Sequence, residues 1–280
     1  MTTGPTMRKR QLGSQLRRLR TDAGVSSEVA AAELDCARSK ISHMETGRNA
    51  PRKPELKALL ELYGAPADAY ATLEALRIES GERGWWSTFK LPNWFSVYVG
   101  LEADASTMWS FAGETIPGLM QTIDYNRSTH QATPHLAKPG EVDRLVEARR
   151  RRSLRLSTAP LLDYRAVISE AAVRRAVGLG EVGAAQLEHL IKLAEQENVG
   201  LQILPLAAGL HASLGGSFVL LDFGGVDVAP PTAFQEFATS GEVADDQEIV
   251  ASLTAAWNLL HEQALSEDDS LSWLRRVAGE

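Results

Sequence analysis

Residues 26–49, SSEVAAAELDCARSKISHMETGRN, decide how this chain is read. Ser26 is an N-cap residue for a short helix over 27–34, with Ala30, Ala31 and Leu34 inward. Asp35 and Cys36 make a tight turn, because aspartate tolerates the left-handed conformation better than most residues. A second helix over 37–46 stops at Gly47, which suits the C′ position. At 100° per residue, Ala37, Ile41 and Met44 share one side of that helix. Ser39 and His43 lie opposite, flanked by Lys40 and Ser42, with Arg38 at the exposed N-terminal end. An apolar back and a polar front are what a helix entering the DNA major groove requires.

Working outward, Leu12, Leu16, Leu19 and Ala23 mark one face of a preceding helix that ends at Gly24. Downstream, Pro54 suits the first position of a fourth helix through Leu56, Leu59, Leu60 and Tyr63. A fifth starts near Pro66 and runs to about Ser80 through Tyr70, Leu73 and Leu76. Five short helices with a tight turn between the second and third predict a helix-turn-helix DNA-binding domain over 8–80.

The overall charge points the other way until it is divided. The chain has 280 residues and a net charge of −7, which taken alone disfavours a nucleic-acid partner. Residues 1–60, however, hold 12 lysines and arginines against six acids, a balance of +6. The other 220 residues hold 17 against 30, a balance of −13. Electrostatic steering acts through local patches, so a basic head on an acidic body is compatible with double-stranded DNA as a partner.

LGSQLRRLRTDAGVSSEVAAAELDCARSKISHMETGRNAPRKPELKALLELYG, residues 12–64, resembles the phage-repressor-like (XRE-type) helix-turn-helix family along its whole length. Ile41, Glu45 and Gly47 stand at the family's hallmark positions. The resemblance implies that Arg38, Ser39 and His43 read base edges. It implies phosphate contacts from Ser26, Ser27, Lys40, Arg48 and Asn49, with Ser42 beside them on the same front, and a pairing of Arg20 with Glu45. Three positions depart from the family pattern. Ser27 replaces a glutamine, Asp35 a turn glycine, and Ala37 a Ser/Thr cap whose loss costs about 1 kcal/mol.

Beyond residue 80 the composition shifts to Gly81, Gly84 and a run of aromatics including Trp85, Trp86 and Trp94. The junction is placed near 79–84, with a second domain over 84–280. Its periods predict a helix from about Tyr98, a strand or loop at FAGET, a helix after Gly118 and another over 143–156. LLDYRAVIS reads as a strand, 170–177 and 183–198 as helices, and VGLQILPL, SFVLLDF and TAFQEFA as strands. A long helix over 242–264 and a short one near 271–277 follow. The expected fold class is α+β: an all-α five-helix head and a mixed α/β body with a small sheet covered by helices.

The body has its own resemblance, carried by GWW, LPNWFSVYVGLEADAS, ETIPGLMQTIDY, VISEAAVRRAVG and NVGLQILPLAAGLHASLGGSFVLLDF. These are similar to a bacterial regulator family whose C-terminal domain was long of unknown function and is now described as antitoxin-like. The resemblance implies a transcriptional regulator, a homodimer, and a small toxin-like partner protein.

Other candidates are weighed against plainer roles. The run RRRR at 149–152 reads as a solvated helix face whose arginines pair with neighbouring acids; the alternative is a contact to DNA phosphate or to an acidic partner. Trp85, Trp86, Trp94 and Trp109 read as packing at a domain junction, with a ligand pocket as the alternative. That pocket would make the chain a one-component regulator sensing a small molecule. Cys36 reads as a small buried hydrophobe and His211 as a loop residue. His130 and His135 lack ligand-spaced Cys or carboxylate neighbours, so no metal or cofactor is expected. No catalytic motif is present, so the chain is not expected to be an enzyme. One cysteine, no apolar leader and no long apolar run make it cytoplasmic, at the nucleoid when DNA-bound.

Overall fold

A computed structural model describes residues 5–133, 139–224 and 229–279. His135, weighed above as a metal ligand, lies outside the described residues. The chain divides into two compact units, 5–88 with 229–230 and 89–224 with 231–279. The fold class is α+β, with twelve α-helices and six strands among the described residues.

The first unit contains α1 (Pro5–Asp22), α2 (Ser27–Glu33), α3 (Arg38–Glu45), α4 (Lys53–Leu62) and α5 (Ala67–Glu79). Leu12 and Leu16 of α1, Ala30 and Ala31 of α2, Ile41 and Met44 of α3, Leu56, Leu59 and Leu60 of α4, and Leu73 of α5 form one buried core. The Ser26 hydroxyl accepts from the Val29 N–H at 3.3 Å and starts α2. Asp35 adopts φ 46° between α2 and α3, and Gly47 adopts φ 71° after α3. Two expected core positions are exposed. Ala37 is the N-cap of α3, with extended backbone (φ −69°, ψ 145°), so its side chain does not continue the Ile41–Met44 face. Ala23 lies past the end of α1, where the helical period no longer sets its direction.

Gly13 permits the closest approach in this unit. A Cβ there would lie 2.4 Å from the Met44 carbonyl oxygen and 2.6 Å from that of Glu45. Helix propensity alone favours alanine at such a position. Gly13→Ala is nevertheless expected to lose about 1–3 kcal/mol, because α1 and α3 must separate. Urea unfolding measures it; an unchanged or raised midpoint would contradict this packing.

The second unit is built on a six-stranded mixed sheet ordered β3-β2-β1-β4-β5-β6. The strands are β1 (Thr107–Ala112), β2 (Asp163–Ser169), β3 (Val199–Leu204), β4 (Phe218–Asp222), β5 (Thr232–Glu236) and β6 (Gly241–Ala244). β1, β2 and β3 are parallel, linked by crossovers carrying α7 (Ile123–Ala132), α8 (Val142–Ser153), α9 (Glu170–Val177) and α10 (Glu181–Ala194). β4, β5 and β6 add an antiparallel meander to the free side of β1. Every residue of β3 is buried, as parallel strands covered on both faces require.

Side chains alternate across the strands and give the sheet two faces. Phe111, Val167, Phe218, Leu220 and Ala233 join Val250, Trp257 and Leu260 of α11 (Gln247–Gln263) in one core. On the other face, Trp94 and Tyr98 of α6 (Asn93–Asp104) stack on Phe234 of β5, at ring distances of 6.2 and 4.0 Å. The last helix is α12 (Glu267–Ala278).

Several boundaries differ from the sequence expectation, among them the end of α10 at Ala194 and the start of α12 at Glu267. α6 starts at Asn93, five residues before Tyr98, because Pro92 has the extended backbone of an N-cap (ψ 144°). β1 begins at Thr107, upstream of the FAGET stretch. β6 occupies residues assigned to the start of the final long helix. That helix begins only after Asp246, whose carboxylate accepts from the Glu248 and Ile249 N–H groups at 2.8 and 3.4 Å.

Candidate nucleic-acid interface

The polar front of α3 depends on what anchors its back. Ile41 and Met44 are buried, and Glu45 at the last turn is gripped by Arg20 of α1. Arg20 donates Nε to Glu45 Oε1 at 2.6 Å and Nη2 to Oε2 at 2.9 Å. Its Nη1 donates to the Val25 carbonyl at 2.9 Å, so one guanidinium ties α1, the connection to α2, and α3. The hydrogen bond to Glu45 raises the Arg20 pKa against the opposing effect of burial.

The structure brings the nine expected DNA contacts to α3, the start of α2 and the loop after α3. Ser26, Arg38, Ser39, Ser42, Arg48 and Asn49 are exposed, while Ser27, Lys40 and His43 are half-buried. Ser26 Oγ is already engaged as a cap, and its hydroxyl also hydrogen-bonds the Glu28 carboxylate. The Asn49 N–H donates to the His43 carbonyl at 3.0 Å, which folds the loop back onto α3.

Two of the expected cations are paired with carboxylates. Arg38 lies 2.9 Å from Glu28, both well exposed, so water screens the interaction and leaves Arg38 able to exchange partners. Lys40 donates to Glu55 at 2.6 Å, and the other Glu55 oxygen accepts from the Arg52 N–H at 2.6 Å at the start of α4. Burial works against the Glu55 charge, yet these bonds hold its carboxyl below the ordinary range.

A cleft of about 670 Å³ borders this front. Lys9, Lys40, Arg48, Arg52, Arg77 and Arg83 line it, opposed by Glu55 and Glu82 alone among its acidic residues. Six cations against two carboxylates suit a phosphate backbone. Lys9, Arg52, Arg77 and Arg83 were not among the expected contacts, and Arg77 is held by Glu74. They come from α1, the loop before α4, α5 and the segment after it, so no local motif joins them.

Comparison with known proteins agrees with this geometry. Residues 11–73 match the family described as helix-turn-helix domain. The chain is a DNA-binding regulator. Residues 95–276 match the domain of unknown function DUF5753, and that match covers more than half of the sequence. The chain belongs to the DUF5753 family. No curated protein and no solved structure matches it. No helix among the described residues is long and apolar enough to cross a membrane.

Within the DUF5753 unit, the arginine run divides by helical direction. Arg150 is exposed and pairs with Glu147 at 2.7 Å, as a solvated face would. Arg152 is buried and donates Nε and Nη2 to Glu102 of α6, both at 2.6 Å. Arg149 lines a cavity of about 800 Å³. The tryptophans also separate. Trp85 packs edge-on to Trp86 in the first unit, Trp109 packs against Trp257, and Trp94 lines the cavity. Cys36 is half-buried against the helix-turn-helix core. The His211 ring packs against Phe111, with Nδ1 accepting from the Ser213 N–H at 3.3 Å.

Proposed function

We propose that this chain is a sequence-specific transcriptional regulator of the XRE type, and a binding protein rather than an enzyme. It binds DNA as a homodimer, with Arg38, Ser39 and His43 reading base edges. Ser26, Ser27, Lys40, Arg48 and Asn49 hold phosphates, and Ser42 completes the front. The observation that carries this reading is the polar face of α3, locked from behind by Arg20–Glu45 and bordered by a basic cleft.

Operator selection from random duplexes, followed by titration of variants, tests it. His43→Ala is expected to change preference at one base position by about 1–3 kcal/mol. Lys40→Ala is expected to weaken all sequences alike and to lower the salt slope by about one unit. Parental behaviour in both variants would refute the assignment.

For the DUF5753 unit we favour small-molecule sensing, because its 800 Å³ cavity is of the size that holds metabolite-sized ligands. A second reading, an antitoxin-like role with a small toxin-like partner protein, is supported by the sequence resemblance and by the −13 balance of residues 61–280, which suits a basic partner. Stabilisation by a metabolite but not by the product of an adjacent small gene favours sensing; the reverse favours the protein partner. In either case an effector regulates DNA affinity only by favouring one arrangement of the dimer.

A further inference from the structure

The cavity of the DUF5753 unit has a chemical polarity that narrows what it takes. One wall is aromatic: Trp94, Tyr98 and Phe234 stack in sequence, and Phe95 packs against both Trp94 and Tyr98. Near the sheet, Tyr164 Oη and Ser110 Oγ also line it and share one hydrogen bond at 2.7 Å. The cations are unequal. Arg152 is neutralised by Glu102 and lies over the rings of Phe95 and Tyr98. Arg144 lies 3.4 Å from Glu141. Lys90 and Glu236, of opposite sign, are both exposed.

Arg149 differs from all of these. Arg149 is half-buried and lines the cavity, and among the described residues no hydrogen bond or ion pair neutralises its guanidinium. Burial, with the like charge of Arg152 added, pushes its pKa down to about 10, while Glu236 and Glu102 act only at a distance. Its position also depends on Gly118, where any Cβ would collide with the guanidinium. A desolvated cation without a counter-ion is costly. A planar fork of donors that nothing in the chain uses is a means of gripping an oxyanion.

We propose that this cavity binds a monoanionic small molecule, a carboxylate on a flat apolar or aromatic body, with Arg149 pairing the carboxylate and the Trp94–Phe234–Tyr98 wall receiving the body. One unpaired guanidinium matches one negative charge, which favours a carboxylate over a polyphosphate. The inference rests on the ligand-sensing reading above and adds the class of ligand and the residue that recognises its charge.

The test uses the full chain, with calorimetric titration and thermal unfolding against benzoate, 2-naphthoate and indole-3-acetate and against their primary amides. The expected result is that at least one acid binds and raises the unfolding midpoint, its amide binding about tenfold more weakly. Arg149→Gln should reduce the acid to the level of the amide, Arg149→Lys should retain part of the difference, and Arg150→Gln should behave as the parent. Without ligand, Arg149→Gln should unfold no earlier than the parent, since it removes an unpaired, half-buried charge. An earlier midpoint would mark Arg149 as structural and overturn the proposal. Equal affinity for acid and amide, or undiminished binding by Arg149→Gln, would overturn the anion assignment and leave ligand sensing standing. No binding of any acid or amide would overturn both.

Discussion

Arg152→Ala is expected to destabilise the DUF5753 unit by about 3–5 kcal/mol, the cost of stranding a buried charge. Glu102 is 1% exposed and Arg152 4%, and both carboxylate oxygens accept from the guanidinium at 2.6 Å. Tyr98 Oη adds a hydrogen bond to Glu102 at 3.0 Å. Burial works against the Arg152 charge, yet the Glu102 carboxylate holds its pKa above the usual arginine value. Without Arg152, Glu102 must stay charged away from water or take up a proton, and neither is cheap. Scanning calorimetry of the full chain should show the corresponding transition lowered by on the order of 10 °C. The double replacement Arg152→Met with Glu102→Leu should recover most of the loss, because an apolar pair removes both charges together. A single variant as stable as the parent would show that the pair does not hold α6 to α8.

Arg149 and Arg152 are three residues apart on α8, adjacent on one helical face, yet opposite outcomes are expected from replacing them. The difference lies in what faces each. Arg152 meets a carboxylate from α6, and Arg149 meets a cavity. The four consecutive arginines contain no sign of this, because Glu102 is fifty residues away in the chain.

The same distinction explains what was legible in the sequence. Ile41, Met44, Ser26 and Gly47 report their structure through local rules of period, cap and turn, so the helix-turn-helix unit could be read element by element. β6 could not, because GEVA is too short for a period and owes its extended form to pairing with β5. The helical period puts Ala37 on the apolar back of α3, yet as the N-cap its extended backbone turns the side chain to solvent. Gly13 resembles a weak point in a helix until α3 is packed across it. In the candidate interface, spacing on α3 sufficed to set Ser39 and His43 away from the buried Ile41 and Met44, with Arg38 at the start of the helix. The pairing of Lys40 with Glu55, and the gathering of Lys9, Arg52 and Arg83 into a cleft, depend on how the helices meet. The cavity is the extreme case, since α6, α8 and the sheet each supply part of it and none contains a motif.

Arg20→Ala is expected to lower the stability of the helix-turn-helix unit by about 3 kcal/mol while leaving its base preference unchanged. Arg20 and Glu45 retain only 16% and 9% of their side-chain exposure, so removing the guanidinium leaves a largely buried carboxylate without its partner. The Val25 carbonyl loses its bond from Nη1 at the same time, which loosens the connection into α2. Neither group touches the front of α3, so molecules that remain folded should select the same operator with reduced apparent affinity. The reduction should equal the fraction unfolded, and lowering the temperature should restore it. Glu45→Gln, which keeps the size of the side chain and removes its charge, should cost less than Arg20→Ala because no bare carboxylate is stranded. Chemical unfolding, paired with operator selection on the same protein, separates the two roles. A fully folded Arg20→Ala protein with an altered base preference would mean that Arg20 reads DNA, and would remove the physical basis for treating it as the clamp that sets the recognition helix.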